Sequence, residues 1–334
     1  MSIAIRSFAK INLGLKIGAP RADGFHELRT IYQTIALHDV VRVEVKAGEG
    51  IEIRCGDPRV PCDASNTCYK IAERLLRMVD RRSKVLIEIE KQLPVQGGMG
   101  AASSNAVAAM FGLERALGVS LTQQDKLRIA AEVGSDLPLF LIGGTVLGVD
   151  RGQDVYALRD LPDTAVVVVT PPAGVSTPKA FAQWDALMAS EDALTVNAHA
   201  GTMIERDQAD SAWLSERLLS WAVPAEGPAS GVPAAGGDRA ETPLLDLVRT
   251  GIENDFERVV FPQYPELREV KSVLQREGAR YASLSGSGST VYGLFASTDD
   301  AQAAAARMRA AGHAAVETRT VARAEYGKQL AISN

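Results

Sequence analysis

Three short segments carry the residue types from which a reaction site can be built. The first runs Pro94-Val95-Gln96-Gly97-Gly98-Met99-Gly100-Ala101-Ala102-Ser103-Ser104-Asn105, between a strand-like stretch and an apolar-faced helix. Glycines admit positive φ and close backbone approach, so successive N–H groups can converge on one concavity, and a helix N-terminus adds partial positive charge. That is an anion cradle needing no lysine, although a tight turn with close helix packing uses the same residues. A Walker A loop is excluded because Gly100 is followed by Ala101, and the dinucleotide fingerprint fails at Ser103. Protein-kinase signatures are absent.

The second segment is Phe8-Ala9-Lys10-Ile11-Asn12-Leu13, followed by Arg21-Ala22-Asp23-Gly24-Phe25-His26. On an alternating strand Lys10 and Asn12 share one face, and Ile11 and Leu13 take the other. Lys10 and Asn12 are then either a solvated face or a charge-stabilising pair. Asp23-Gly24 signals a turn, after which Phe25-His26 is either a base-stacking platform or an aromatic beside a structural histidine. The third segment is Gly134-Ser135-Asp136-Leu137-Pro138-Leu139-Phe140. An aspartate in such an apolar run is partly desolvated. It is a turn residue or, beside a lysine, a general-base candidate.

The elements that must position these segments read as follows. Val41–Val45 and Ile51–Ile53 alternate with period two, as half-buried antiparallel strands do. Asn66 is placed to cap a helix running to about Arg82, and Val85–Ile89 is a strand closed by Pro94. Thr122 with Asp125 resembles a capping box for a helix through Val133. Ala165–Thr170 is a buried strand opening the second half. Later come a helix over Pro265–Gly278, two strands around Ser285-Gly286-Ser287-Gly288-Ser289, a helix over Asp299–Gly312 and a strand over Ala314–Val321. Residues 222–237, rich in Ala, Pro and Gly without periodicity, read as a flexible surface insertion.

The whole chain bounds the function. Its 334 residues allow about two domains. With 46% hydrophobic and 23% charged residues it is globular in composition. A formal charge of −5, from 36 Lys plus Arg against 41 Asp plus Glu, disfavours polyanionic nucleic acid as a partner. Cys55, Cys62 and Cys68 form no CxxC pair, which suits buried or half-exposed thiols in a reducing compartment. The N-terminus is no signal peptide, and Leu137–Val149 is too short and glycine-rich to span a bilayer. A cytoplasmic protein is expected.

In order and content, the three segments together with Leu284-Ser285-Gly286-Ser287-Gly288 resemble the GHMP kinase superfamily across nearly the full length; Asn254-Asp255-Phe256-Glu257 resembles a further family element. The AKINL and DGFH elements (Ala9–Leu13 and Asp23–His26) point to the branch acting on a cytidyl diphosphate sugar alcohol built on methylerythritol. The resemblance implies an α+β, two-lobed fold: an N-terminal α/β domain over 1–160 with the phosphate loop, and a C-terminal ferredoxin-like α/β sandwich over 161–334 with the insertion near 222–240. It implies ATP and Mg²⁺ as cofactors, phosphorylation of the 2-hydroxyl, a place in non-mevalonate isoprenoid precursor synthesis, and a monomer or weak homodimer.

By the same resemblance Asp136 would be the base and Lys10 would hold it ionised. Pro94, Gly97, Gly98, Gly100, Ala101, Ala102, Ser103, Ser104 and Asn66 would hold ATP, with Ser104 near the metal. Asn12 would bond the methylerythritol moiety, while Phe25, His26 and Phe181, with Thr177, Gly286 and Ser287, would line the cytidyl site. Two departures stand out: Met99, Ala101 and Ala102 in a loop that is usually GLGGGSS, and Phe25 for tyrosine. A methyl at Ala101 or Ala102 crowds a phosphate unless the residue keeps helical φ. A homoserine- or mevalonate-type kinase would keep the loop but lack DGFH and Phe181; a nucleotide-binding module without catalysis would not need both Lys10 and Asp136.

Overall fold

The computed structural model describes residues 2–195 and 253–330; the insertion expected near 222–240 lies outside them. Two long strands, β1 (Ser2–Pro20) and β2 (His26–Lys46), pair antiparallel along most of their length. β2 also pairs with β4 (Lys84–Glu90) through Val40–Lys46 and with β5 (Thr145–Val149) through Thr30–Gln33. β3 (Gly50–Cys55) and β6 (Asp154–Ala157) complete a six-stranded sheet. β3 runs parallel to β4, not antiparallel as its alternation suggested, because period two reports burial of one face and not the direction of the neighbouring strand. The period-two runs become strands because alternate residues have a face to bury: Val41, Val43, Val85 and Ile87 are fully buried.

Two helices cover that face. In α1 (Thr67–Met78) Cys68, Ile71, Leu75 and Leu76 form the buried stripe. Asn66 caps it as expected, its side chain accepting from the Cys68 N–H at 2.8 Å. The helix stops at Met78, short of Arg82, where Asp80 takes a positive φ of 47°. In α2 (Ala101–Leu117) nearly every residue from Ser104 to Glu114 is buried, which its small side chains permit. α3 (Gln123–Val133) starts at Thr122, whose hydroxyl accepts from the Asp125 N–H. A single turn, α4 (Leu139–Ile142), leads into β5.

The second sheet has the order β10-β7-β9-β8, all antiparallel, from β7 (Ala165–Val169), β8 (Tyr281–Leu284), β9 (Val291–Phe295) and β10 (Ala315–Arg319). Numbered within this half the order is 4-1-3-2, that of a ferredoxin-like sandwich. The β-branched run of β7 is uninterrupted because both faces are covered. Val167 and Val169 pack with α5 (Thr177–Thr195), α6 (Glu257–Gln263), α7 (Pro265–Arg276) and α8 (Thr298–Ala310), whereas Val166 and Val168 face the first sheet.

Between the sheets Ala9, Ile11, Leu13, Ile31 and Ile35 meet Val166, Val168, Tyr292 and Leu294 in one apolar cluster. The Tyr292 hydroxyl donates to the Asn12 carbonyl at 2.8 Å, and the Tyr281 hydroxyl to the Leu13 carbonyl at 2.9 Å. Those carbonyls sit where the β1–β2 register slips between Asn12 and Gly14. The chain then returns to the first lobe: Val321 donates to the Thr34 carbonyl, and α9 (Arg323–Gln329) lays Tyr326 against Phe8. The buried Tyr326 hydroxyl donates to the Phe140 carbonyl at 2.6 Å. Tyr326→Phe leaves that carbonyl without its donor and should lower stability by about 1–3 kcal/mol. An unchanged urea midpoint would show that the contact contributes nothing.

Candidate active site

The register of β1 presents Lys10 and Asn12 on one face, as alternation requires, and Ile11 and Leu13 to the core. Lys10 is 3% exposed. It donates to Asn12 Oδ1 at 2.5 Å and to the Gly98 carbonyl at 2.8 Å, and lies 3.8 Å from Asp136 Oδ2. Burial pushes its pKa below the ordinary lysine value, and the Asp136 charge pulls it partly back. Asp136 follows α3 and keeps about a third of its side chain open to solvent, at 36%. Its other oxygen, Oδ1, accepts from the Tyr32 hydroxyl at 3.1 Å. Burial, reinforced by the Asp136 charge, holds the Tyr32 pKa well above the usual phenol value, so Tyr32 remains a donor.

The glycine loop packs into the same junction. Gly98 has φ +77°, and a Cβ there would stand 2.2 Å from the Ser285 carbonyl. Only glycine allows the loop to touch the Ser285–Gly288 turn of the second lobe. The Gly98 carbonyl accepts from Ser285 Oγ at 3.0 Å as well as from Lys10, and Asn254 pins that turn through the Leu284 and Gly286 carbonyls. Gly100, also at positive φ, precedes α2, whose first N–H groups have no intrahelical acceptor. Ala101 and Ala102 are the first residues of that helix, so their φ is helical. Met99 turns into the core at 2% exposure. The departures from a GLGGGSS loop are thereby accommodated.

Two cavities meet at this loop. The first, of about 380 Å³, is lined by Pro94, Gly97, Gly98, Gly100, Ala101, Ala102, Ser103 and Asn66, with Arg59 and Lys91. Asn66 shapes this wall: its oxygen caps α1 and its amide donates to the Pro61 carbonyl. Ser104 does not reach the cavity. It is 2% exposed on the underside of α2, where its hydroxyl accepts from Ser7 Oγ at 2.8 Å and so points away from any metal seated in this cavity. Among the described residues no group of three or more His, Cys, Asp or Glu is placed to hold a metal ion. The residues fit Mg²⁺ only as an ion carried mainly by nucleotide phosphate oxygens, its usual manner in phosphoryl transfer.

The second cavity, of about 640 Å³, brings together Lys10, Asn12, Asp136, Phe25, His26, Thr177, Phe181, Gly286 and Ser287. Thr177 and Phe181 lie four residues apart on α5, and the Thr177 and Ser287 hydroxyls meet at 2.7 Å. The His26 ring stacks on Phe181, with centroids 5.0 Å apart and planes at 12°. Phe181 in turn meets Phe256 edge-on. Phe25 is half exposed at the rim, with the Arg151 guanidinium 5.0 Å from its centroid. Gly98 and Gly100 line both cavities.

Five further lining residues, Tyr32, Arg151, Asp185, Arg59 and Lys91, were not found from the sequence. Tyr32 is the cross-strand partner of Asn12, so only the β1–β2 register reveals it. Lys91 offered a local signal, a cation three residues before Pro94; its ammonium is 2.5 Å from the buried Asp39 carboxylate.

A lobe presenting a phosphate-sized loop at a helix N-terminus, joined to a ferredoxin-like lobe, is the architecture of the GHMP small-molecule kinases. Residues 66–144 match the family described as GHMP kinases N terminal domain, and residues 241–314 that described as GHMP kinases C terminal. The chain is 31% identical to the 4-diphosphocytidyl-2-C-methyl-D-erythritol kinase of Acaryochloris marina over 92% of its own length and 91% of that protein's. It is 33% identical to the enzyme of the same name from Heliobacterium modesticaldum, over 90% and 88%. A crystal structure of 4-(cytidine 5'-diphospho)-2C-methyl-D-erythritol kinase superposes with a TM-score of 0.67 at 26% identity, covering 95% of this chain and 99% of that one. Homoserine kinase from Cytophaga hutchinsonii, at 20% identity and a TM-score of 0.66, shares the fold. The chain belongs to the 4-diphosphocytidyl-2-C-methyl-D-erythritol kinase family.

Gly98→Ala should lower stability by about 1–3 kcal/mol through positive φ, with the clash against the Ser285 carbonyl in addition, and should weaken ATP binding by displacing the loop. Wild-type melting and wild-type affinity for a non-hydrolysable ATP analogue would together overturn this account of the loop.

Proposed function

We propose that this chain phosphorylates the 2-hydroxyl of 4-diphosphocytidyl-2-C-methyl-D-erythritol with ATP, a step of non-mevalonate isoprenoid precursor synthesis. The observation that carries the reading is the wall shared by the two cavities. A triphosphate seated against Gly98, Gly100 and the first N–H groups of α2 has its terminal phosphate next to the cavity that holds Lys10 and Asp136. The aromatic end of the second cavity, Phe25, His26 and Phe181, suits a pyrimidine base, and Asn12 suits the sugar alcohol.

Phosphoryl transfer asks mainly for alignment and charge neutralisation. In this reading the acceptor hydroxyl gives its proton to Asp136 as its oxygen takes up the γ-phosphoryl group, and ADP leaves. Tyr32 fixes Oδ1 of the carboxylate, leaving Oδ2 toward Lys10. Lys10 stabilises the charge that develops on the transferring group, at an ammonium already stripped of water. The backbone N–H groups of the loop hold the nucleotide phosphates without a basic surface. Mg²⁺, when bound, neutralises the triphosphate.

The same reading places the enzyme in the cytoplasm as a monomer or weak homodimer, with lobes meeting near residues 155–165. The free thiols of Cys55, Cys62 and Cys68 agree with a reducing compartment. No helix among the described residues is long and apolar enough to cross a membrane.

Asp136→Asn and Lys10→Ala should each lower kcat by about 100- to 1,000-fold with the fold retained. A coupled ADP-release assay over the cytidyl substrate, homoserine and mevalonate tests both this and the substrate. Near-wild-type turnover in either variant would remove the assigned roles, and phosphorylation of another acceptor in preference would replace the substrate.

A further inference from the structure

We propose that Asp185 is a positioning residue that sets the tautomer of His26, and that the cavity thereby prefers a pyrimidine with an amino group at its exocyclic 4-position to one with a carbonyl. The proposal rests on the cytidyl reading above and concerns how that base is told from its closest analogue.

Asp185 lies one helical turn beyond Phe181 on α5, and both side chains reach the same imidazole. Phe181 covers a face of the His26 ring; Asp185 Oδ1 stands 2.7 Å from its Nε2. A carboxylate only accepts hydrogen bonds, so the proton of the neutral ring resides on Nε2. Nδ1 is then left as an acceptor, the second nitrogen answering to the partner of the first. The ring is 7% exposed and held between strand and helix, so it cannot turn freely to exchange its two nitrogens. With Phe181 braced edge-on by Phe256, a single helix controls both the plane of the ring and its polarity.

The consequence is chemical. An acceptor set against the 4-position of a pyrimidine bonds the amino group of cytosine and opposes the carbonyl oxygen of uracil. A histidine without a fixed partner offers either tautomer and discriminates less. Asp185 itself is half exposed, at 51%, so replacing it should leave the core intact.

The test uses the full-length enzyme, with Asp185→Asn and Asp185→Glu compared with wild type. Long-range ¹H–¹⁵N NMR of the histidine side chains, with His26 assigned by loss of its signals in His26→Gln, reads the tautomer directly. The expected result is an Nε2–H ring in wild type and Asp185→Glu, and a mixed or Nδ1–H ring in Asp185→Asn. In steady-state assays the kcat/KM preference for the cytidyl over the uridyl diphosphate of methylerythritol should fall about tenfold or more in Asp185→Asn. The loss should appear in KM more than in kcat and be restored in part by Asp185→Glu. An unchanged tautomer, or an unchanged preference in a variant that melts like wild type, overturns the proposal. Failure of wild type to use the cytidyl substrate at all would overturn the functional reading instead, and the NMR result would still decide whether Asp185 sets the tautomer.

Discussion

The arrangement depends on one buried ammonium. Lys10 is removed from water at the meeting point of the lobes, and desolvation of a charge costs several kcal/mol unless partners replace the hydration shell. Its partners come from three separate stretches of chain: Asn12 on the same strand, the Gly98 carbonyl of the loop, and Asp136 beyond α3. Each offsets part of that cost, the two hydrogen bonds most directly. The requirement that stabilises the junction therefore also sets the geometry of the proposed catalytic pair. The Gly98 carbonyl extends it to the second lobe, because Ser285 donates to the same oxygen.

The binding of two anionic ligands by a chain of net charge −5 follows from where the positive potential is placed. In the proposed site, backbone N–H groups at the start of α2 and the Lys10 ammonium would act at short range inside cavities, where screening is weak. A basic exterior is unnecessary for that task. It is needed where charges must follow an extended polyanion, which is why composition spoke against nucleic acid and was silent about nucleotides. Ala101 and Ala102 show the same economy. As ordinary helical residues they contribute N–H groups, and their methyls do not demand the φ values that only glycine reaches.

Much of the fold was legible because its signals are local. The Asn66 and Thr122 caps, the strand at Val85–Ile89 and the unbroken apolar run of β7 each reflect an element meeting its own burial requirement. The α1 terminus was overrun, since Val79 continues the apolar stripe while Asp80 already leaves the helical φ. Ser104 is the instructive miss in the site. It stands within the loop motif, yet one step along α2 turns it by 100° from Ser103, beneath the helix and against Ser7. Adjacency in sequence is not adjacency on a cavity wall.

What the sequence alone determined were the segments able to do chemistry: a glycine loop before a helix, an alternating strand bearing Lys10 and Asn12, an aspartate in an apolar turn, and an aromatic–histidine pair. Each is specified by backbone permissiveness or by a period of two or 3.6, properties readable within a few residues. The tertiary structure alone decided their pairing. Tyr32 reaches Asp136 across 104 residues of chain, and His26 meets Asp185 across 159. Such contacts follow from strand register and lobe packing, which are collective outcomes of burying the whole core. No local pattern encodes them.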